Sequence, residues 1–187
     1  MTTAIETVDG AATVPRPATP GPEMAALARF YPDVTWTGTV SAGGMGPGTP
    51  EMTAIGRASH RCIQDGRWIV VTGCQEQYLL DGTFVLTWQL HLVVGWDPSH
   101  GDYRATIADN YGHAAVMRGR IERDRLVFET IDDAPVRLRM TWDASDPPRL
   151  TWRNESSTEG RDWFLIESYT MTPTGREPAV PRPSRRT

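Results

Sequence analysis

The sequence contains no lysine. All 19 basic residues are arginine, set against 23 acidic ones, for a formal charge of −4. A Schiff-base lysine and a lysine-type phosphate loop are therefore excluded. A mildly acidic chain also lacks the clustered positive charge that nucleic acid demands. No run approaches the ~20 apolar residues of a membrane span. Residues 1–23 offer neither the basic start nor the continuous apolar stretch of a secretory leader. Two cysteines, Cys62 and Cys74, make no disulfide framework. These absences point to a cytoplasmic protein with reduced thiols. Helical periodicity is scarce too: only Glu23–Phe30 reads as a helix, with Pro22 near its start.

What is present fits one domain. The chain has 187 residues, enough to bury a single core. Residues 1–23 and 173–187 are rich in proline and poor in large apolar residues. Neither tail buries enough surface to offset the entropy of ordering, so both are expected to be disordered around a domain at 24–172. From Val34 to Met171 the dominant period is two. It marks strands near 34–40, 52–63, 67–79, 84–96, 103–109, 113–122, 125–131, 135–143, 149–155 and 163–171. Asp65-Gly66, Asp81-Gly82, Asn110-Tyr111-Gly112, Asp132-Asp133 and Asp146-Pro147-Pro148 punctuate them. The expectation is an all-β chain: an antiparallel up-and-down β-barrel of about ten strands, or else a sandwich, after a short N-terminal helix.

Two-residue loops at Asp65-Gly66 and Asp81-Gly82 fix a register. Ala54 then opposes Gln77, His60 opposes Val71, and Gln75 opposes Trp88. One face collects these residues with Ile69, Leu90, Leu92 and Val94 and carries no formal charge; it is assigned to the interior. Cys62 and Cys74 fall ~17 Å apart along the strands, too far for a disulfide. His91 points outward.

In the next hairpin, a three-residue loop with Gly112 in the left-handed position keeps Arg118 and Arg120 outside. Asp109 and His113 then oppose each other, both facing the cavity near its mouth. An aspartate beside a histidine fixes the tautomer and stabilises the imidazolium, which makes an acid or base usable near neutral pH. The same contact can simply pin a tight turn. His60, Gln75 and Gln77 lie inward among small residues and need partners from each other, from water or from a ligand. Trp36, Trp88 and Trp152 can line a flat ligand, with Tyr111 at the mouth and Asn154 inward on the ninth strand. The last strand is ambiguous: either Glu167 and Tyr169 face in, or Phe164, Ile166 and Ser168 do. The Gly43–Gly48 run reads as a flap over the mouth. No close-spaced ligand pair for a metal exists.

The layout resembles a bacterial family of uncharacterised lipocalin-like (calycin-type) barrel domains. The matching pieces are Leu27 through Trp36, Asp65-Gly66-Arg67-Trp68-Ile69-Val70, and Gly95-Trp96-Asp97 with Tyr103. Asp109-Asn110-Tyr111-Gly112, Gly119 through Leu126 and Trp163 to Tyr169 complete it, over about 24–172. The resemblance implies a ligand-enclosing barrel and no settled activity.

The expected function is a cofactor-independent acid/base enzyme, a cyclase, isomerase or dehydratase of the kind found in secondary-metabolite biosynthesis. Asp109, His113 and His60 would be catalytic. The alternatives are a non-catalytic carrier or sensor of a hydrophobic ligand, and a haem-binding barrel with His60 or His113 as axial ligand. The expected partner is a small hydrophobic molecule, with no nucleic acid and no membrane; a homodimer is left open.

Overall fold

The structure, a computed structural model, describes residues 19–131 and 135–175. The two-residue alternation builds ten strands. They are β1 (Val34–Val40), β2 (Met52–Ile63), β3 (Trp68–Leu79), β4 (Phe84–Asp97) and β5 (Asp102–Asp109), then β6 (Ala114–Glu122), β7 (Arg125–Thr130), β8 (Arg137–Asp143), β9 (Leu150–Ser157) and β10 (Phe164–Pro173). Each pairs antiparallel with its sequence neighbours, and β10 returns to β1, so the sheet closes into a barrel. Closure removes both sheet edges and sets the sandwich alternative aside. One short helix, α1 (Pro22–Ala28), precedes the strands.

The hairpin registers follow the turn chemistry. The first connection is a four-residue turn and not the expected two-residue loop: Gln64, Asp65 and Gly66 have φ of 50°, 57° and 84°, and Ile63 opposes Trp68, which keeps the expected register. Ala54 opposes Gln77 and His60 opposes Val71. Gln75 opposes Trp88, but beyond Gln77 the ladder shifts by one, so the second connection is three residues, Leu80 to Gly82, closed by the Leu79 N–H on the Thr83 carbonyl, and not a two-residue loop. Ala108 opposes Ala114 across the three-residue loop, with Gly112 at φ 85°. Cys62 and Cys74 are free thiols.

Alternation sends Ile69, Val71, Leu92, Val94, Ala105 and Met117 into the core. Glycines on neighbouring strands let aromatic rings lie flat on the wall. A Cβ on Gly56 would stand 2.3 Å from the Trp36 ring, and one on Gly119 2.4 Å from Phe128. The helix buries Met24 and Leu27, and Phe30 and Tyr31 follow them into the barrel end. Tyr103 fixes the helix by donating its hydroxyl to the Glu23 carbonyl at 3.0 Å.

The tails expected to be disordered lie outside the described residues at 1–18 and 176–187, as does the turn at Asp132-Asp133. Within the description, Pro22 and Glu23 begin the helix and Pro173 ends β10. No described helix is long and apolar enough to cross a membrane.

Candidate functional site

The plug of Phe30 and Tyr31 stops short of filling the barrel. Above it lies a cavity with about 560 Å³ of empty space, its mouth included. It is a narrow slot between aromatic walls. Its walls are Val34, Val71, Leu92 and Ile107 with the rings of Trp36, Trp88, Trp142 and Trp152. Gly73 and Ala58 leave the space that larger residues would occupy, and His60 and Tyr169 bring polar groups to the lining.

His60 sits on β2 where Asp33, just ahead of β1, meets it. Asp33 Oδ1 accepts the backbone N–H of His60 at 2.8 Å and lies 3.5 Å from its Nδ1. The imidazole is 4% exposed. Burial lowers its pKa to about 4, against the opposing pull of the neighbouring Asp33 carboxylate. The ring is therefore neutral at pH 7. Tyr31 packs on it with ring centroids 5.5 Å apart, and its buried hydroxyl has no partner.

Toward the opposite end, a polar cluster is wholly enclosed. Glu167 accepts from Asn154 Nδ2 at 3.2 Å, from Gln75 Nε2 at 3.5 Å and from the Tyr169 hydroxyl. Gln75 Oε1 in turn accepts from Trp36 Nε1 at 3.0 Å. Burial raises the Glu167 carboxyl, and its three donors pull back against that rise. Burial also raises the Tyr169 hydroxyl, helped by the neighbouring Glu167. Tyr169 stacks between Trp152 and Trp36, at 5.0 and 5.9 Å between centroids. The ambiguity of the last strand is thus resolved. A bulge between Leu165 and Glu167 sets Glu167, Tyr169 and Met171 inward.

The Asp109–His113 pair forms, with His113 Nδ1 2.9 Å from Asp109 Oδ2, but it does not face the cavity. The His113 side chain is 80% exposed. Asp109 spends its carboxylate on the turn, accepting from the backbone N–H groups of Tyr111 and His113 at 2.9 Å and from Trp88 Nε1 at 3.0 Å. Burial pushes its carboxyl up, and these hydrogen bonds outweigh that and hold it below the usual range. Tyr111, expected at the mouth as a ligand contact, rides the loop tip at 49% exposure and is not part of the lining. The reason is shared: a loop of three residues at a barrel rim carries its side chains past the end of the wall. His113 is for the same reason removed from the haem reading, which leaves His60 alone within the slot.

Trp36, Gln75, Gln77, Trp152, Asn154, Glu167 and Tyr169 are brought together inside the barrel, and Trp88 lines the slot. Asp33 and Tyr31 were not foreseen. No local sequence signal announced either contact. Among the described residues, no group of three or more His, Cys, Asp or Glu side chains is placed to hold a metal ion.

A family model described as "Protein of unknown function (DUF1579)" matches residues 19–181. The crystal structure of Rv2717c from M. tuberculosis aligns with a TM-score of 0.54 at 13% identity, over 83% of this chain and 99% of that one. At that identity the likeness bears on the fold alone. No curated protein matches the sequence.

Proposed function

This chain belongs to the DUF1579 family, and we propose that its lipocalin-like barrel encloses one small, flat, largely apolar organic molecule, on which His60 moves a proton. The observation that carries this reading is an imidazole backed by a carboxylate inside an aromatic slot. The apolar walls exclude water and hold the substrate in one orientation. Asp33 Oδ1 stands 3.5 Å from Nδ1, close enough for its charge to act on the ring. As the proton transfers, the same carboxylate stabilises the imidazolium. Tyr169, whose hydroxyl donates to Glu167, contributes its ring to the aromatic wall against which a flat molecule would stack. The reaction class is cofactor-independent proton transfer: isomerisation, cyclisation or dehydration. The Asp109–His113 pair stays outside this scheme because His113 faces solvent.

One observation favours a second reading, a carrier or sensor. With a pKa of about 4, His60 is a weak base at rest, and the slot would serve equally to hold a molecule unchanged. The test is to extract the native ligand from purified protein, identify it by mass spectrometry and return it to fresh protein. Chemical change by the wild type, lost in His60→Gln with binding retained, supports the enzyme. Unchanged recovery supports the carrier. A protein that yields and rebinds no organic molecule contradicts both.

A further inference from the structure

We infer that the Tyr31 hydroxyl and the His60 imidazole together form a polar subsite at the closed end of the slot, shaped for the hydroxyl of a phenol or an enol. This rests on the cavity reading above and adds to it the chemical class of the ligand's buried end.

Both side chains line the same cavity, and their rings are in contact, with centroids 5.5 Å apart and planes tilted by 49°. Trp142 packs on Tyr31 from another side, also at 5.5 Å. Two rings thus hold the phenol in place, so its hydroxyl cannot swing toward another partner. Tyr31 is 1% exposed, and neither its hydroxyl nor His60 Nδ1 has a hydrogen-bond partner.

Other polar rings of the lining behave differently. Trp36 Nε1 donates to Gln75, Trp88 Nε1 to Asp109, and the Tyr169 hydroxyl to Glu167. Those groups are satisfied within the barrel and offer the cavity only the faces of their rings. Burying the Tyr31 hydroxyl without such a partner is costly, and a ligand oxygen in the cavity it lines would supply one. The path of entry agrees. Trp88 and Leu90, on the first half of β4, are half-buried, whereas Phe30, Tyr31 and Val34 are sealed. A ligand entering past β4 meets Tyr31 last.

The two groups together select a hydroxyl. Burial raises the Tyr31 pKa well above its ordinary value, so at pH 7 this group keeps its proton and donates. His60 is neutral there and keeps one acceptor nitrogen. A ligand hydroxyl uses both: its oxygen accepts from Tyr31 and its proton goes to His60. A carbonyl or ether oxygen uses Tyr31 alone. A carboxylate would face Asp33, 3.5 Å from the His60 ring, and among the described residues no arginine is buried to offset it.

The test is calorimetric titration of the full chain at pH 7 with two shape-matched pairs, phenol against toluene and anisole against ethylbenzene. Phenol is expected to bind about tenfold more tightly than toluene through two hydrogen bonds. Anisole, which accepts but cannot donate, is expected to bind about fivefold more tightly than ethylbenzene. Tyr31→Phe, which removes one oxygen and nothing else, is expected to erase the anisole preference and weaken the phenol preference. It should bind toluene and ethylbenzene as the wild type does. Equal binding within either pair, an anisole preference that survives in Tyr31→Phe, or loss of toluene and ethylbenzene from that variant overturns the subsite and leaves the cavity reading standing. Failure of the wild type to bind any of the four overturns both.

Discussion

Asp33 Oδ1 accepts the backbone N–H of His60 at 2.8 Å and stands 3.5 Å from its Nδ1, which has no hydrogen-bond partner. One carboxylate thus sets both the backbone position and the charge balance of a ring that lines the slot. Asp33→Asn keeps an oxygen for the backbone N–H and removes the charge. The expected result is a His60 pKa below its present value of about 4, read by NMR titration of the imidazole, with little change in stability. An unchanged titration would show that Asp33 does not couple to the ring.

His60 also predicts acid lability. Its folded pKa of about 4 lies below the ordinary 6.5, so the unfolded chain takes up the proton first. The stability contribution is complete above pH 6.5 and is lost as pH falls toward 4, at about 1.4 kcal/mol per pH unit. Glu167 acts oppositely. Its raised pKa favours the folded state below 4.5, and that contribution is lost as pH rises through its folded value. Asp81, Asp97, Asp109 and Asp143, all lowered, matter only near pH 4 and below. Urea denaturation of wild type and His60→Phe at pH 7 and pH 4.5 isolates the histidine. The variant should lose about 2 kcal/mol less between the two pH values. Parallel losses would assign the acid sensitivity elsewhere.

The hairpin pair separates structure from chemistry. Asp109→Ala leaves two loop N–H groups and the Trp88 indole without their acceptor, at a cost of about 1–3 kcal/mol. His113→Ala, at an exposed position, should stay within about 0.5 kcal/mol of wild type and leave ligand uptake and turnover unchanged. Turnover lost from a folded His113→Ala protein would return that residue to the mechanism.

Gly38 is required by close approach. A Cβ there would stand 2.1 Å from the Ser168 carbonyl oxygen and 2.5 Å from Tyr169 Cδ1. Gly38→Ala is expected to cost about 3 kcal/mol or more in chemical denaturation, since the backbone contact has nowhere to yield. Gly82→Ala, with φ +88° and no atom within 4 Å, should cost only the left-handed strain of about 1–2 kcal/mol. Equal costs at the two positions would refute the packing argument.

Strand alternation and glycine-bearing turns determined most of the barrel. Short loops join β2 to β3, β3 to β4 and β5 to β6, so their registers could be read locally, and with them the burial of His60, Gln75 and Gln77. Two relationships lay beyond that reach. The β1–β2 connection spans residues 41–51, too long for its turn to dictate pairing, so nothing local announced that Asp33 meets His60. The last strand reads equally well on either face, and a bulge together with closure onto β1 chose Glu167 and Tyr169 for the interior. The rim of the barrel was misjudged for a related reason: opposition across a hairpin fixes a face, but whether that face still has a wall behind it depends on where every other strand ends. Local sequence sets alternation because a strand's side chains must take turns; enclosure belongs to ten strands at once, and tertiary structure alone decides it.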